Sequence, residues 1–115
     1  MDTITAKKIA LMQHQHCAFD SLVECFGDST FAHDYIGWRV LTEDEAEAAF
    51  EKALDNILDD VILPNLDEAL QCYFDRDAWK RDAQYDGRGH HLNYHDRKEY
   101  KEVVNGTSYY IYRVN

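Results

Sequence analysis

Proline and glycine are scarce in this sequence, with one proline and five glycines among 115 residues. Together with the lack of low-complexity tracts, this argues against a disordered chain. Cysteine is scarce too. Cys17, Cys25 and Cys72 make an odd set without close pairing, so they are expected as reduced thiols. No apolar run approaches the roughly 20 residues that span a bilayer. The start, Met1-Asp2-Thr3-Ile4, has no basic stretch leading into an apolar one. A cytoplasmic protein without membrane contact is therefore expected. No phosphate loop, dinucleotide fingerprint or Gly-x-Ser-x-Gly elbow occurs, so the expectation is a non-enzyme without a cofactor.

What is present fits a single domain over residues 1–115. The chain is 45% hydrophobic and 13% aromatic, enough to build a core. Its net charge of -10 is concentrated in one segment. Residues 42–77 hold twelve acids opposed only by Lys52 and Arg76, a net of -10. The remaining ten acids and ten bases cancel.

Periodicity points to an α+β fold of about three helices with a C-terminal hairpin. Ile9, Met12, Phe19, Val23 and Phe26 recur at helical spacing and predict a helix over 5–26, stopped by Gly27. Asp28 or Ser29 could cap a short helix ending near Gly37, with 38–41 extended after it. Thr42-Glu43-Asp44-Glu45 has the form of a capping box. Ala46, Ala49, Phe50, Ala53, Leu54, Ile57, Leu58 and Val61 then share one face, predicting a helix over 43–62. Pro64 ends it. A third helix over 66–83 would bury Leu66, Ala69, Leu70, Tyr73 and Phe74. Residues 85–89 read as a turn or loop.

Asn105-Gly106 lies between two β-prone runs, which predicts a type I′ hairpin of strands 98–104 and 107–114. Pairing Val104 with Thr107 sets Val103 opposite Ser108, Glu102 opposite Tyr109, Lys101 opposite Tyr110, Tyr100 opposite Ile111 and Glu99 opposite Tyr112. A lone hairpin is marginal in water, so a third strand is expected from 38–41 or 92–94.

Three groups of residues are candidates for function. Glu43, Glu47, Glu51, Asp55 and Asp59 are spaced by four, each step advancing about 6 Å, with Asp60 adjacent. Such a row is either a solvated helix face or a surface that docks on a basic groove. Like charges at this spacing cost a few tenths of a kcal/mol per pair. Within the helix only Lys52 opposes them, which favours docking. The second group is His90, His91 and His95, near Asp86 and Asp96, as the alternative of a metal-binding protein or hydrolase. His14 and His16 would point about 160° apart on a helix and cannot share an ion. The third is the tyrosines 94, 100, 109, 110 and 112. These would be either cross-strand packing or the face of a homodimeric interaction module. Direct nucleic-acid binding is disfavoured, because the acidic helices would repel phosphates.

The short chain, the acids from Glu43 to Asp60 and the missing catalytic motifs resemble the small acidic anti-defence proteins of phages and plasmids, the anti-CRISPR and DNA-mimic antirestriction types. The ending Tyr109-Tyr110-Ile111-Tyr112-Arg113-Val114-Asn115 is similar to the tails of small phage proteins. The resemblance implies a stoichiometric inhibitor acting in the host cytoplasm. It would block the nucleic-acid-binding surface of a host defence complex.

Overall fold

The computed structural model describes residues 2–24 and 29–115. A five-stranded antiparallel sheet forms its centre, in the order β1-β2-β3-β5-β4. The strands are β1 (Val23–Glu24), β2 (Thr30–His33), β3 (Ile36–Thr42), β4 (Tyr100–Val104) and β5 (Thr107–Arg113). Alternation along the strands gives the sheet two apolar faces. Phe31, Trp38, Val40, Val104, Tyr109 and Ile111 pack with Ala6, Ala10 and Leu11 of α1 (Thr3–Gln15). Leu41 and Tyr112 face the other way. They pack with Ala46, Phe50 and Leu54 of α2 (Glu43–Ile57), and with Ala83 of α4 (Arg76–Gln84) and Leu92 of α5 (Arg88–Leu92).

The C-terminal hairpin has the expected register from Val104 opposite Thr107 to Tyr100 opposite Ile111, but β4 begins at Tyr100 rather than at 98, so the expected Glu99–Tyr112 pair is not part of the ladder. Asn105 (φ 51) and Gly106 (φ 79) supply the positive φ that the turn needs. The third strand is drawn from 38–41, within β3, which pairs with β5. Residues 92–94 contribute only a single backbone bond, from Tyr94 N to Arg113 O at 2.8 Å. The second helix also forms as expected. The Thr42 side chain accepts from the Glu45 amide, and Glu45 Oε1 accepts from Thr42 N at 3.0 Å.

Other expectations are corrected. The first helix stops at Gln15 rather than near 26, because His16 turns left-handed and its amide bonds back to Met12. A 3₁₀ turn (Phe19–Ser21) and β1 follow. The expected stop at Gly27, and Cys25, Phe26 and Asp28, lie outside the described residues. Cys17 and Cys72 are free thiols. Among the described residues from Ser29 to Gly37 the expected short helix does not form. Residues 30–42 instead form the β2–β3 hairpin, turning at Asp34 (φ 50) and Tyr35 (φ 64).

Past Ile57 the helical path widens into a π turn (Leu58–Ile62), then tightens into a 3₁₀ turn at Pro64 (Leu63–Asn65). The expected helix over 66–83 is broken in two. α3 (Glu68–Gln71) is capped by Asp67, and α4 by Asp75. No residue from Asp59 to Asp82 is fully buried. The expected face of Leu66, Ala69, Leu70, Tyr73 and Phe74 joins neither core cluster, while Trp79 of α4 packs partly buried against the second. Among the described residues no helix is long and apolar enough to cross a membrane.

Candidate functional site

α2 carries its acidic row on the side away from the sheet, but those carboxylates are not left to solvent alone. Cations of α4 and α5 stand opposite them. Arg88 Nη1 lies 2.8 Å from Glu43 and 2.9 Å from Glu47, while its Nε lies 2.9 Å from Glu99. Lys80 Nζ lies 3.2 Å from Glu51 and 2.5 Å from Asp55. Arg76 Nη2 lies 3.3 Å from Asp59 and 3.8 Å from Asp55. The stability cost expected of an unopposed row is therefore offset by charges 17 to 45 residues away in sequence.

Arg88 is the hub of this ladder. Gly89 brings α5 onto the chain before β4: a Cβ there would sit 2.5 Å from Lys98 C and Glu99 N. The Arg88 guanidinium lies 4.6 Å over the Tyr110 ring. Partial burial alone would weaken its proton affinity, but hydrogen bonds to Glu43 and Glu99 outweigh that and raise its pKa. Glu43 is held below the ordinary carboxylate range, first by the bond from Arg88 and then by one from Tyr110. Lys80 is raised by its bonds to Asp55 and Glu51.

Asp60 lies just past the row and makes no ion pair; among the described residues the same holds for Asp44, Glu68 and Asp77. Asp60, Glu68 and Asp77 belong to the stretch without buried residues. Val61, Leu70 and Tyr73 stand out from the same stretch, at 54%, 54% and 82% exposure. Uncompensated acid and exposed apolar surface thus occur together beyond the end of α2.

The tyrosines divide between the two cores. Tyr109 faces α1 and Tyr112 faces α2. The Tyr112 hydroxyl donates to Glu99, and burial first, then that bond, push its pKa up. Tyr100 is half-buried and donates to Asp96, which leaves Tyr94 outward at 67% exposure.

Of the three histidines joined by the sequence reading, the structure brings together His90 and His91, with Asp86 in place of His95. Their ligand atoms lie within 4.8 Å of one another. His95 is instead held in a turn, its amide donating to Asn93 Oδ1 at 2.9 Å. His91 packs beside Phe50, with ring centroids 5.7 Å apart. Burial, then the neighbouring His90 and Arg97, lower its pKa, with Asp86 opposing. His14 is tied to structure by ring contacts with Trp38 at 5.4 Å and Tyr100 at 4.7 Å.

The sequence reading missed Arg76, Lys80 and Arg88 as partners of the row. Their spacing of four and eight echoes its period, a signal that becomes readable only once α4 and α5 are known to lie beside α2. Comparisons with family models, with curated proteins and with solved structures return no match to this chain.

Proposed function

We propose that this chain is a non-enzymatic binding protein that docks on a basic surface of a partner protein. Its contact surface is the acidic row Glu43, Glu47, Glu51, Asp55 and Asp59 with the adjoining Asp60, together with the stretch up to Asp82 that follows it. The carrying observation is the conjunction beyond α2: Asp60, Glu68 and Asp77 without ion pairs, beside exposed Val61, Leu70 and Tyr73. An apolar centre with a charged rim is the usual composition of a protein interface. Five carboxylates held by three cations, with Asp60 beyond them, keep a net negative charge on the row. The ladder also restrains them, which lowers the entropy lost on docking. A second copy of the chain would bring like charges together, so the partner is of opposite charge. A nucleic-acid-binding groove, such as that of a host defence complex, has the required chemistry.

The ladder decides how to test this. Reversing Glu51 or Asp55 would set a lysine against Lys80 and disturb the fold. Asp60, Glu68 and Tyr73 have no such partner. Immobilised protein should capture from lysate a basic nucleic-acid-binding protein, and a variant carrying Asp60→Lys, Glu68→Lys and Tyr73→Ser should lose it while keeping its circular dichroism. If the folded variant captures the same proteins, docking through this surface is wrong.

A further inference from the structure

The Asp86–His90–His91 group takes no part in the ion-pair ladder or in the proposed docking residues. Its geometry follows from the local chain path. The end of α4 closes in a turn, with Asp86 N bonding to Ala83 O at 3.2 Å and Gly87 N to Gln84 O at 3.1 Å. The chain then reverses into α5, which begins at Arg88. His90 and His91 thereby come back over the turn that holds Asp86. Each of the three offers one ligand atom, and these atoms lie within 4.8 Å of one another. Two ligands on one tetrahedral zinc ion sit about 3.3 Å apart, given metal–ligand bonds of about 2.0–2.1 Å. Asp86 is exposed at a turn, so its side chain has room to adjust toward the two imidazoles.

His91 adds a second, independent observation. Its Nε2 is buried and has no hydrogen-bond partner among the described residues. Leaving a buried polar nitrogen unpaired costs about 1–3 kcal/mol, so such atoms are uncommon. The ring itself is well placed. It sits between Phe50 at 5.7 Å and the edge of His90 at 5.0 Å. Ligation through Nε2 would give this atom the partner it lacks.

We propose that Asp86, His90 and His91 form a binding site for a divalent transition metal of the zinc type. The donor set selects the ion. Two imidazoles and one carboxylate suit zinc, nickel, cobalt or copper, whereas calcium and magnesium require a shell of oxygens. Three protein ligands leave at least one coordination position for water or an outside group. Arg97 tempers the affinity. Its guanidinium donates to the His90 carbonyl at 2.9 Å and places a positive charge beside the bound cation. The ion would join the turn after α4 to α5, the helix that carries Arg88. Metal binding would therefore tighten the acidic ladder from its far side.

The test uses the full, untagged, metal-stripped chain titrated with Zn²⁺ against a chromophoric chelator, and with Co²⁺ followed by its visible absorption. Stoichiometric binding at one ion per chain is expected, with the intense Co²⁺ bands of a low-coordinate site. Asp86→Asn and His90→Gln are partly exposed changes and should each weaken binding by at least about tenfold. His95→Gln should bind as the parent does. Circular dichroism of each variant separates lost ligation from lost fold. If the parent binds no stoichiometric metal, or if His95→Gln weakens binding as much as His90→Gln, the site is refuted. Either result leaves the docking proposal standing, since that surface uses none of these residues.

Discussion

Replacing Glu45 with alanine should destabilise the protein far more than replacing its partner Lys7 with methionine. Lys7 is fully buried, and its ammonium reaches Ser29 Oγ at 2.9 Å and Glu45 Oε1 at 2.9 Å. Glu45 is 43% exposed and also closes the capping box with Thr42. Glu45→Ala removes that cap, at about 1 kcal/mol. It also strands a buried ammonium beside a single hydroxyl, at about 2–3 kcal/mol more. The expected total is about 3–4 kcal/mol. Lys7→Met removes the buried charge and leaves a carboxylate that water and Thr42 can still solvate. That change should cost no more than about 1 kcal/mol. The double variant should then recover to about 1–2 kcal/mol below the parent, a coupling of about 2–3 kcal/mol. Urea denaturation of the four proteins at neutral pH measures this directly. A Lys7→Met loss equal to the Glu45→Ala loss, or a double variant no better than Glu45→Ala, would refute the reasoning.

The same pair has a pH signature. Burial alone would raise the Glu45 pKa, but the bonds from Thr42 and Lys7 outweigh it and the folded value is lowered. A lowered folded pKa means the stabilisation is complete above the ordinary glutamate range. It is lost as pH falls through the folded value. The stability gap between parent and Glu45→Ala should therefore narrow below about pH 4, as read by urea midpoints at pH 7 and pH 3. Gly89→Ala places a methyl 2.5 Å from the Lys98–Glu99 backbone and should cost about 2–3 kcal/mol in the same assay; a neutral result would mean that α5 does not rest on that chain. Arg88→Ala frees Glu43 and Glu47 to solvent but leaves Glu99 partly covered, at 29% side-chain exposure, beside Tyr112. About 1–2 kcal/mol should be lost, most of it from Glu99, and a loss that vanishes in 1 M salt would assign the hub to surface electrostatics alone.

Local signals were legible where the sequence carries its own partner. Thr42 and Glu45 cap each other across three residues, and Asn105-Gly106 determines its own turn, so α2 and the C-terminal hairpin were readable with their register. The β2–β3 turn was not, because Asp34-Tyr35 adopts the same positive φ without a glycine to announce it. The end of α1 was hidden for a similar reason: His16 turns left-handed amid residues that could continue a helix. The stretch 59–82 misled because Leu66, Ala69, Leu70, Tyr73 and Phe74 keep helical spacing while joining neither core cluster; of the stretch, Trp79 alone packs against one. At the candidate surface, the row of acids was visible in sequence, but its neutralisation was not. Arg76, Lys80 and Arg88 act across tertiary contacts that no local pattern encodes. The histidine cluster was visible in part, and the reversal after α4 replaced His95 with Asp86.

The central claim is docking through acid and exposed apolar surface, and the salt dependence of affinity for the captured partner tests it most directly. Between about 50 and 300 mM salt, the affinity should fall by at least about tenfold as exposed charge pairs are screened. The folded variant with Asp60→Lys, Glu68→Lys and Tyr73→Ser should bind weakly at every salt concentration. Affinity that is flat with salt and unchanged in that variant would contradict the account.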